Sequence, residues 1–169
     1  LTINEIKTVL MHITKRARWK ENVIVKWHSH ECLHDFQYGP CNCEKLITLV
    51  HQQTHLGVEL DEYFSFKEHF NTLNKKLKKL VFAFDAIKFI FPEKVKKQMY
   101  YALVESIVSY GITSYGPENE FSFKRLEGLQ YNILNSIKKS KNLEEACRKL
   151  DVLPFSKLYQ YKQIINHVQ

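Results

Sequence analysis

The apolar residues between Phe66 and Phe91 recur at a spacing that fits a long α-helix and little else. Phe66, Phe70, Leu73, Leu77, Leu80, Phe84, Ile87 and Phe91 are separated alternately by four and three residues, which lines them up on one side of a helix of about 3.6 residues per turn. The spacing predicts an unbroken helix over 65–91. Ser65 and Glu68 stand three apart at its start and read as a capping box. Pro92 reads as its stop. At about 100° per residue, Lys75, Lys78 and Lys79 fall opposite the apolar stripe, with Lys76 on its flank. Phe82 falls on that outer face too, an aromatic among lysines where solvent is expected.

The rest of the chain can supply the core this stripe needs. It has 169 residues, 44% of them hydrophobic and 13% aromatic, which excludes a disordered or fibrous protein. The net charge is +7, and its placement matters more than its size. Residues 1–61 carry seven Lys/Arg and seven Asp/Glu; residues 62–169 carry 18 and 11. The excess therefore lies with the helical part, and a polyanion partner and an ordinary solvated surface are both open. No apolar run reaches the length of a membrane span, and no signal segment opens the chain. The expectation is an intracellular location, nuclear or cytoplasmic, with no membrane partner. The first residue is Leu1, and a stripe of Phe155, Leu158, Tyr161, Ile165 and Val168 still runs at the end, so an excerpt from a longer protein is expected.

Before residue 61 the period is two. Val9, Met11 and Ile13 predict a strand over 8–14, and Val23, Val25 and Trp27 suggest a second as its hairpin partner, with Lys15, Arg16, Arg18 and Lys20 between them. Strands are also expected over 45–50 and 54–60. A domain boundary is expected near 61–64. Beyond it, Pro92 suits the first turn of a second helix carrying Val95, Met99, Leu103, Ile107 and Tyr110 and ending at Gly111. Tyr115, Gly116 and Pro117 read as a loop. A third helix carries Phe123, Leu126, Leu129, Ile133 and Ile137, a fourth spans about 142–150, and Pro154 starts the last. The fold class is α+β: a small β-rich piece of short antiparallel strands, then a helical bundle.

Few residues suggest chemistry. His28, His30, Cys32, His34, Cys41, Cys43, His51 and His55 are of zinc-ligand type. The thiol spacing, C-x8-C-x-C, is not that of a zinc knuckle, and thiolates one residue apart on an extended chain point to opposite faces. Free thiols in a loop are the plainer reading, and zinc at Cys32, Cys41 and Cys43 stays open. No nucleophile elbow or phosphate-cradling glycine loop occurs. Asp35, Asp61, Asp85 and Asp151 are isolated, so no carboxylate pair for two-metal catalysis is present. What remains is binding. Lys75, Lys76, Lys78 and Lys79 could follow a phosphate backbone, and Phe82 could pack on a sugar or base; alternatively these residues are a solvated face, with Phe82 against another helix.

Four segments resemble reverse transcriptases of non-long-terminal-repeat retrotransposons of the Jockey type. LTINEIKTVLMHIT is similar to the Leu-x-Leu-Asn-x-x-Lys-Thr segment that follows their catalytic strands. THLGVELDEYFSFKEHF is similar to their Tyr-Leu-Gly-apolar-x-apolar-Asp segment, through His55, Leu56, Gly57, Val58, Leu60, Asp61, Phe66 and His69, with His55 in place of the usual Tyr. LVESIVSYGITSYG resembles a later stretch through Tyr110, Gly111, Tyr115 and Gly116, and LDVLPFSKLYQY resembles the ending. Cys41, Cys43 and Leu46 also match animal members.

The resemblance implies a fragment of an RNA-directed DNA polymerase, a nucleotidyltransferase of a transposable element. Residues 1–61 would be the end of the palm and connecting strands, 62–116 the thumb helices, and 117–169 a helical region after it. Lys7 would lie on the nucleotide side, and His55, Leu56 and Gly57 would take the place of the primer grip. The partners implied are an RNA template, a DNA primer and the rest of palm and fingers. The catalytic carboxylates, and the Mg2+ they hold in the parent, belong upstream of residue 1, so this chain alone should be inactive and holds no cofactor of its own. The competing reading is a stand-alone or domesticated helical protein–protein interaction module whose lysines and Phe82 meet an acidic partner; a third is a zinc-dependent binding domain.

Overall fold

The change of hydrophobic period after Asp61 is also the change of structure. A computed structural model describes residues 8–13, 26–27, 45–116 and 120–168. The fold is α+β, with two units, Leu1–Ser65 and Phe66–Gln169.

The first unit holds short paired strands: β1 (Val9–Leu10), β2 (Lys26–Trp27), β3 (Lys45–Leu46), β4 (Thr48–Leu49), β5 (Gln52–His55) and β6 (Val58–Asp61). The expected hairpin of the first two strands does not form. β1 pairs in parallel with β4, Val9 opposite Thr48, and β2 pairs antiparallel with β3, Trp27 opposite Lys45. Alternation assigns faces to a strand but does not choose its neighbour. The expected strand over 54–60 is instead most of a hairpin, β5 against β6, with His55 opposite Val58 and Leu56-Gly57 as the whole turn. Both turn residues have positive φ, 47° and 81°, as a two-residue turn matching the strand twist requires. Glycine takes that geometry freely; leucine does so under strain.

Asp61 ends this unit by folding the chain onto its own carboxylate. The Tyr63 and Ser65 amides donate to Oδ1 at 2.9 and 3.0 Å, and the Ser65 hydroxyl donates to Oδ2 at 2.7 Å. The capping box is thereby overturned: an aspartate four residues back holds the Ser65 hydroxyl. The cap residue is Phe66, left-handed at φ 53° and without a side-chain cap bond.

The second unit starts with α1 (Lys67–Ile87). Phe70, Leu73, Leu77 and Phe84 are buried as the stripe predicts. The helix stops four residues short of Phe91, which is 42% exposed. The Ile90 and Phe91 amides both turn back to the Ile87 carbonyl, tightening the last turn. A single helical run follows: α2 (Glu93–Tyr100), a π-helical turn (Tyr101–Glu105) and α3 (Ser106–Ser109). Its buried face is not the expected one. Lys96, Tyr100, Val104 and Val108 are buried, while Leu103 and Tyr110 are exposed. The face is set one residue on already at Lys96 and Tyr100 in α2. Residues four apart drift by about 40° per step around a regular α-helix, and the wider π turn absorbs that drift, so Val104 and Val108 stay on the same side.

Gly111 (φ 66°) breaks the run, and α4 (Ile112–Tyr115) follows, so Tyr115 is helical and buried, not in a loop. Its ring lies 4.6 Å from His69 and edge-on to Phe70 at 5.4 Å, and its hydroxyl donates to the Val108 carbonyl. Burial raises its pKa. Then come α5 (Glu120–Ile137), α6 (Leu143–Leu150) and α7 (Phe155–Val168). Phe155 and Leu158 of the α7 stripe are buried, but Tyr161 is 52% exposed. Asn142 caps α6, accepting the Glu145 amide at 2.9 Å. Cys147 is buried in α6, and burial pushes its thiol up to about 11, which keeps it protonated and unreactive.

α1 and α5 lie side by side and run in the same direction. Near their starts Phe70 meets Phe123 edge-on at 5.6 Å. At their ends the buried Lys96 ammonium donates to the Lys88 carbonyl at 2.8 Å and the Ile137 carbonyl at 3.4 Å, a cation between two negative helix ends. Gln130, fully buried on α5, donates to the Tyr100 hydroxyl at 2.7 Å and the Leu153 carbonyl at 2.8 Å, and accepts the Phe155 amide at 3.3 Å. One turn earlier, Glu127 accepts both the amide and the hydroxyl of Ser156. The start of α7 is thus held by α5 side chains.

Two substitutions test this packing. Lys96→Met keeps the volume but leaves two buried carbonyls without their donor, and urea titration should show a loss of about 2–3 kcal/mol. A loss below about 0.5 kcal/mol would contradict the clamp. A Cβ on Gly116 would sit 2.3 Å from the Tyr159 ring and 2.7 Å from the Ile112 carbonyl. Gly116→Ala should therefore cost about 1–3 kcal/mol in the same titration.

Candidate nucleic-acid interface

α1 turns two thirds of its circumference away from the core, and that surface carries the basic residues. Lys75, Lys76, Lys78 and Lys79 are all exposed. Phe82 is 77% exposed, so its ring is not buried against another helix. At about 100° per residue, Lys67, Asn71, Lys75, Lys78 and Phe82 fall within one arc of about 80°. Lys79 borders this arc, and Lys76 lies beyond it, toward the Leu73 side. The expected cluster is therefore a row, with Lys75, Lys78 and Phe82 aligned and Lys76 apart. No carboxylate lies between Glu68 and Asp85 on α1. Asp85 is paired with Lys88 at 2.9 Å, so the row keeps a positive potential over about four helical turns.

At the N-terminal end of this row, α1 and α5 part to form a cleft of about 180 Å³. Lys67, Asn71 and Asn74 line one wall, Phe121 and Arg125 the other, and Phe70 and Leu126 the floor. Asn74 is buried on α1. In the amide orientation that satisfies both groups, its Oδ1 accepts from Arg125 Nε at 2.7 Å and Nη2 at 3.3 Å. Phe121 is 82% exposed on the rim. Neither Phe121 nor Arg125 stood out in the sequence. The available signal was Asn74, a polar residue next to the apolar stripe of a long helix, where a buried amide needs a partner.

The other candidate residues lie elsewhere. His55, Leu56 and Gly57 end β5 and form the β5–β6 turn, in the first unit, and Leu56 is 75% exposed. Lys7, Cys32, Cys41 and Cys43 lie outside the described residues. Among the described residues, no three His, Cys, Asp or Glu side chains are placed to hold a metal ion, and no helix is long and apolar enough to cross a membrane. No family model, curated protein or solved structure matches the chain.

If Phe82 faces outward, removing it costs the fold little. Phe82→Ala should leave the urea midpoint unchanged to within about 0.5 kcal/mol. A loss above about 1 kcal/mol would show that the ring packs in a core.

Proposed function

We propose that this chain is a palm-end and thumb fragment of a retrotransposon reverse transcriptase, and that α1 holds the primer–template duplex by its backbone. The observation that carries this reading is the row on α1: exposed lysines and an exposed phenylalanine on a stretch with no carboxylate between Glu68 and Asp85. Such a face suits phosphates and sugars and offers no means of reading base sequence. The four segments similar to the family support it, since Gly111, Tyr115 and Gly116 each meet a structural need. Gly111 takes a left-handed turn, Tyr115 fills the core, and Gly116 lets Tyr159 approach.

In this reading RNA template and DNA primer are the partners, along with the remainder of palm and fingers. Lys7 serves the nucleotide side, and the Leu56-Gly57 hairpin lies at the primer grip. The chemistry of nucleotidyl transfer, and the two Mg2+ ions it uses, belong to carboxylates of the parent outside this chain. The residues here bind and orient the duplex. A second reading has its own support. Phe89 and Ile90, at the turn after α1, are 90% and 69% exposed, and a protein–protein module would use such a tip against an acidic, apolar partner.

Duplex binding separates the two. The chain should bind an RNA–DNA hybrid with a steep dependence on salt. Replacing Lys75, Lys78 and Lys79 together by Ala should weaken binding about tenfold or more at low salt and flatten the slope of log K against log[salt] by about 2–3. An unchanged slope and affinity would contradict the proposal.

A further inference from the structure

We infer that the cleft between the first turns of α1 and α5 takes one unpaired nucleotide adjoining the duplex, with its phosphate on Arg125 and its base on Phe121. The inference rests on the reading of α1 as a nucleic-acid face and assigns the cleft a role of its own.

The argument starts from what holds Arg125. A guanidinium that only braces two helices is best met by a carboxylate, which cancels its charge as it fixes its position. Here the fixing group is the neutral amide of Asn74, buried on α1, and it takes the Nε and Nη2 donors. The charge survives, and the end-on edge of the fork, Nη1 with Nη2, is the edge a phosphate accepts in bidentate fashion. Among the described residues, the cleft lining contains no carboxylate to cancel the Arg125 charge. The site is thus electropositive and oriented before any ligand arrives.

Phe121 sets the class of ligand. An aromatic ring 82% exposed on the rim of a basic cleft provides a stacking platform for a base, and a base inside a duplex does not offer its face. A cleft of about 180 Å³ admits a phosphate and part of a sugar beside the ring, not a double helix. Continuity sets the source. Asn71 lines the cleft, and Lys75 stands one turn further on the same arc of α1, about 6 Å along the axis. Lys78 and Phe82 follow. A strand leaving the duplex held by the lysine row therefore runs into the cleft with its phosphates still on cationic side chains. The proposed ligand is a single-stranded extension of a bound duplex.

The test compares a blunt RNA–DNA hybrid with the same hybrid carrying a short single-stranded overhang, using the full chain and fluorescence anisotropy. The wild-type chain should bind the overhang form about fivefold or more tightly. Phe121→Ala and Arg125→Gln should each remove that preference while leaving blunt-duplex affinity within about twofold. Arg125→Lys, which keeps a charge but loses the fork, should restore only part of it. The triple lysine variant should weaken both forms and keep the preference. Equal binding of blunt and overhang forms by the wild type, with the lysine effect intact, would overturn the cleft assignment and leave the α1 reading standing. Failure of either hybrid to bind would overturn both. Inorganic phosphate perturbing the Arg125 side chain while the overhang form gains no preference over the blunt form would make the cleft a free-anion site and overturn the strand assignment.

Discussion

The helical unit depends on α1 and α5 lying parallel. Phe70 against Phe123 fixes the pair near its start, and the Lys96 ammonium, shared between the Lys88 and Ile137 carbonyls, fixes its end. Parallel neighbours bring like ends of two helix dipoles together, an unfavourable arrangement. A buried cation at the carbonyl ends offsets it there. The same arrangement produces the proposed nucleic-acid surface. It leaves one flank of α1 bare along its length and opens a cleft where the two helices begin. If α5 ran the other way, Arg125 and Asn74 would not meet.

The buried amide of Gln130 is matched on both its oxygen and its nitrogen. Gln130 meets a hydroxyl, a carbonyl and an amide from two other parts of the chain, Tyr100 and the Leu153–Phe155 segment, so one side chain sets where α2 and the start of α7 sit against α5. Buried amides leave little freedom in packing, because any shift strands a donor or an acceptor. The Tyr115–Gly116 pair does the same by shape: the ring fills the space among Phe66, His69 and Phe70, and the missing Cβ admits Tyr159. Rigidity of this kind suits the proposed role of α1, which needs its lysines held in a fixed row.

Much of the fold was legible in the sequence because it rests on period. The stripe from Phe70 to Phe84, the helix starting after Asn142 and the break at Gly111 all follow from side-chain spacing or local turn chemistry. What was not legible depends on long-range partners. Ser65 had two possible partners, and the nearer-looking capping box gave way to Asp61. The face of the 93–109 run starts at Lys96, whose partners are the Lys88 and Ile137 carbonyls, and a fixed period cannot anticipate such partners. Leu56-Gly57 turned a presumed strand into a hairpin, since leucine carries no turn signal. Lys75, Lys78 and Phe82 stood out as exposed residues on an amphipathic helix. Arg125 and Phe121 did not, because their meaning comes from α1, some fifty residues earlier.

The central claim is that the α1 row and the α1–α5 cleft form one nucleic-acid surface. It is tested most directly by recording amide chemical shifts of the isotopically labelled chain as an overhang-bearing RNA–DNA hybrid is added. The account predicts that the residues perturbed at lowest duplex concentration are Lys67, Asn71, Lys75, Lys78 and Phe82 together with Phe121 and Arg125, and that added salt reverses the changes. Perturbations confined to the turn at Phe89 and Ile90, or scattered without regard to this face, would contradict it.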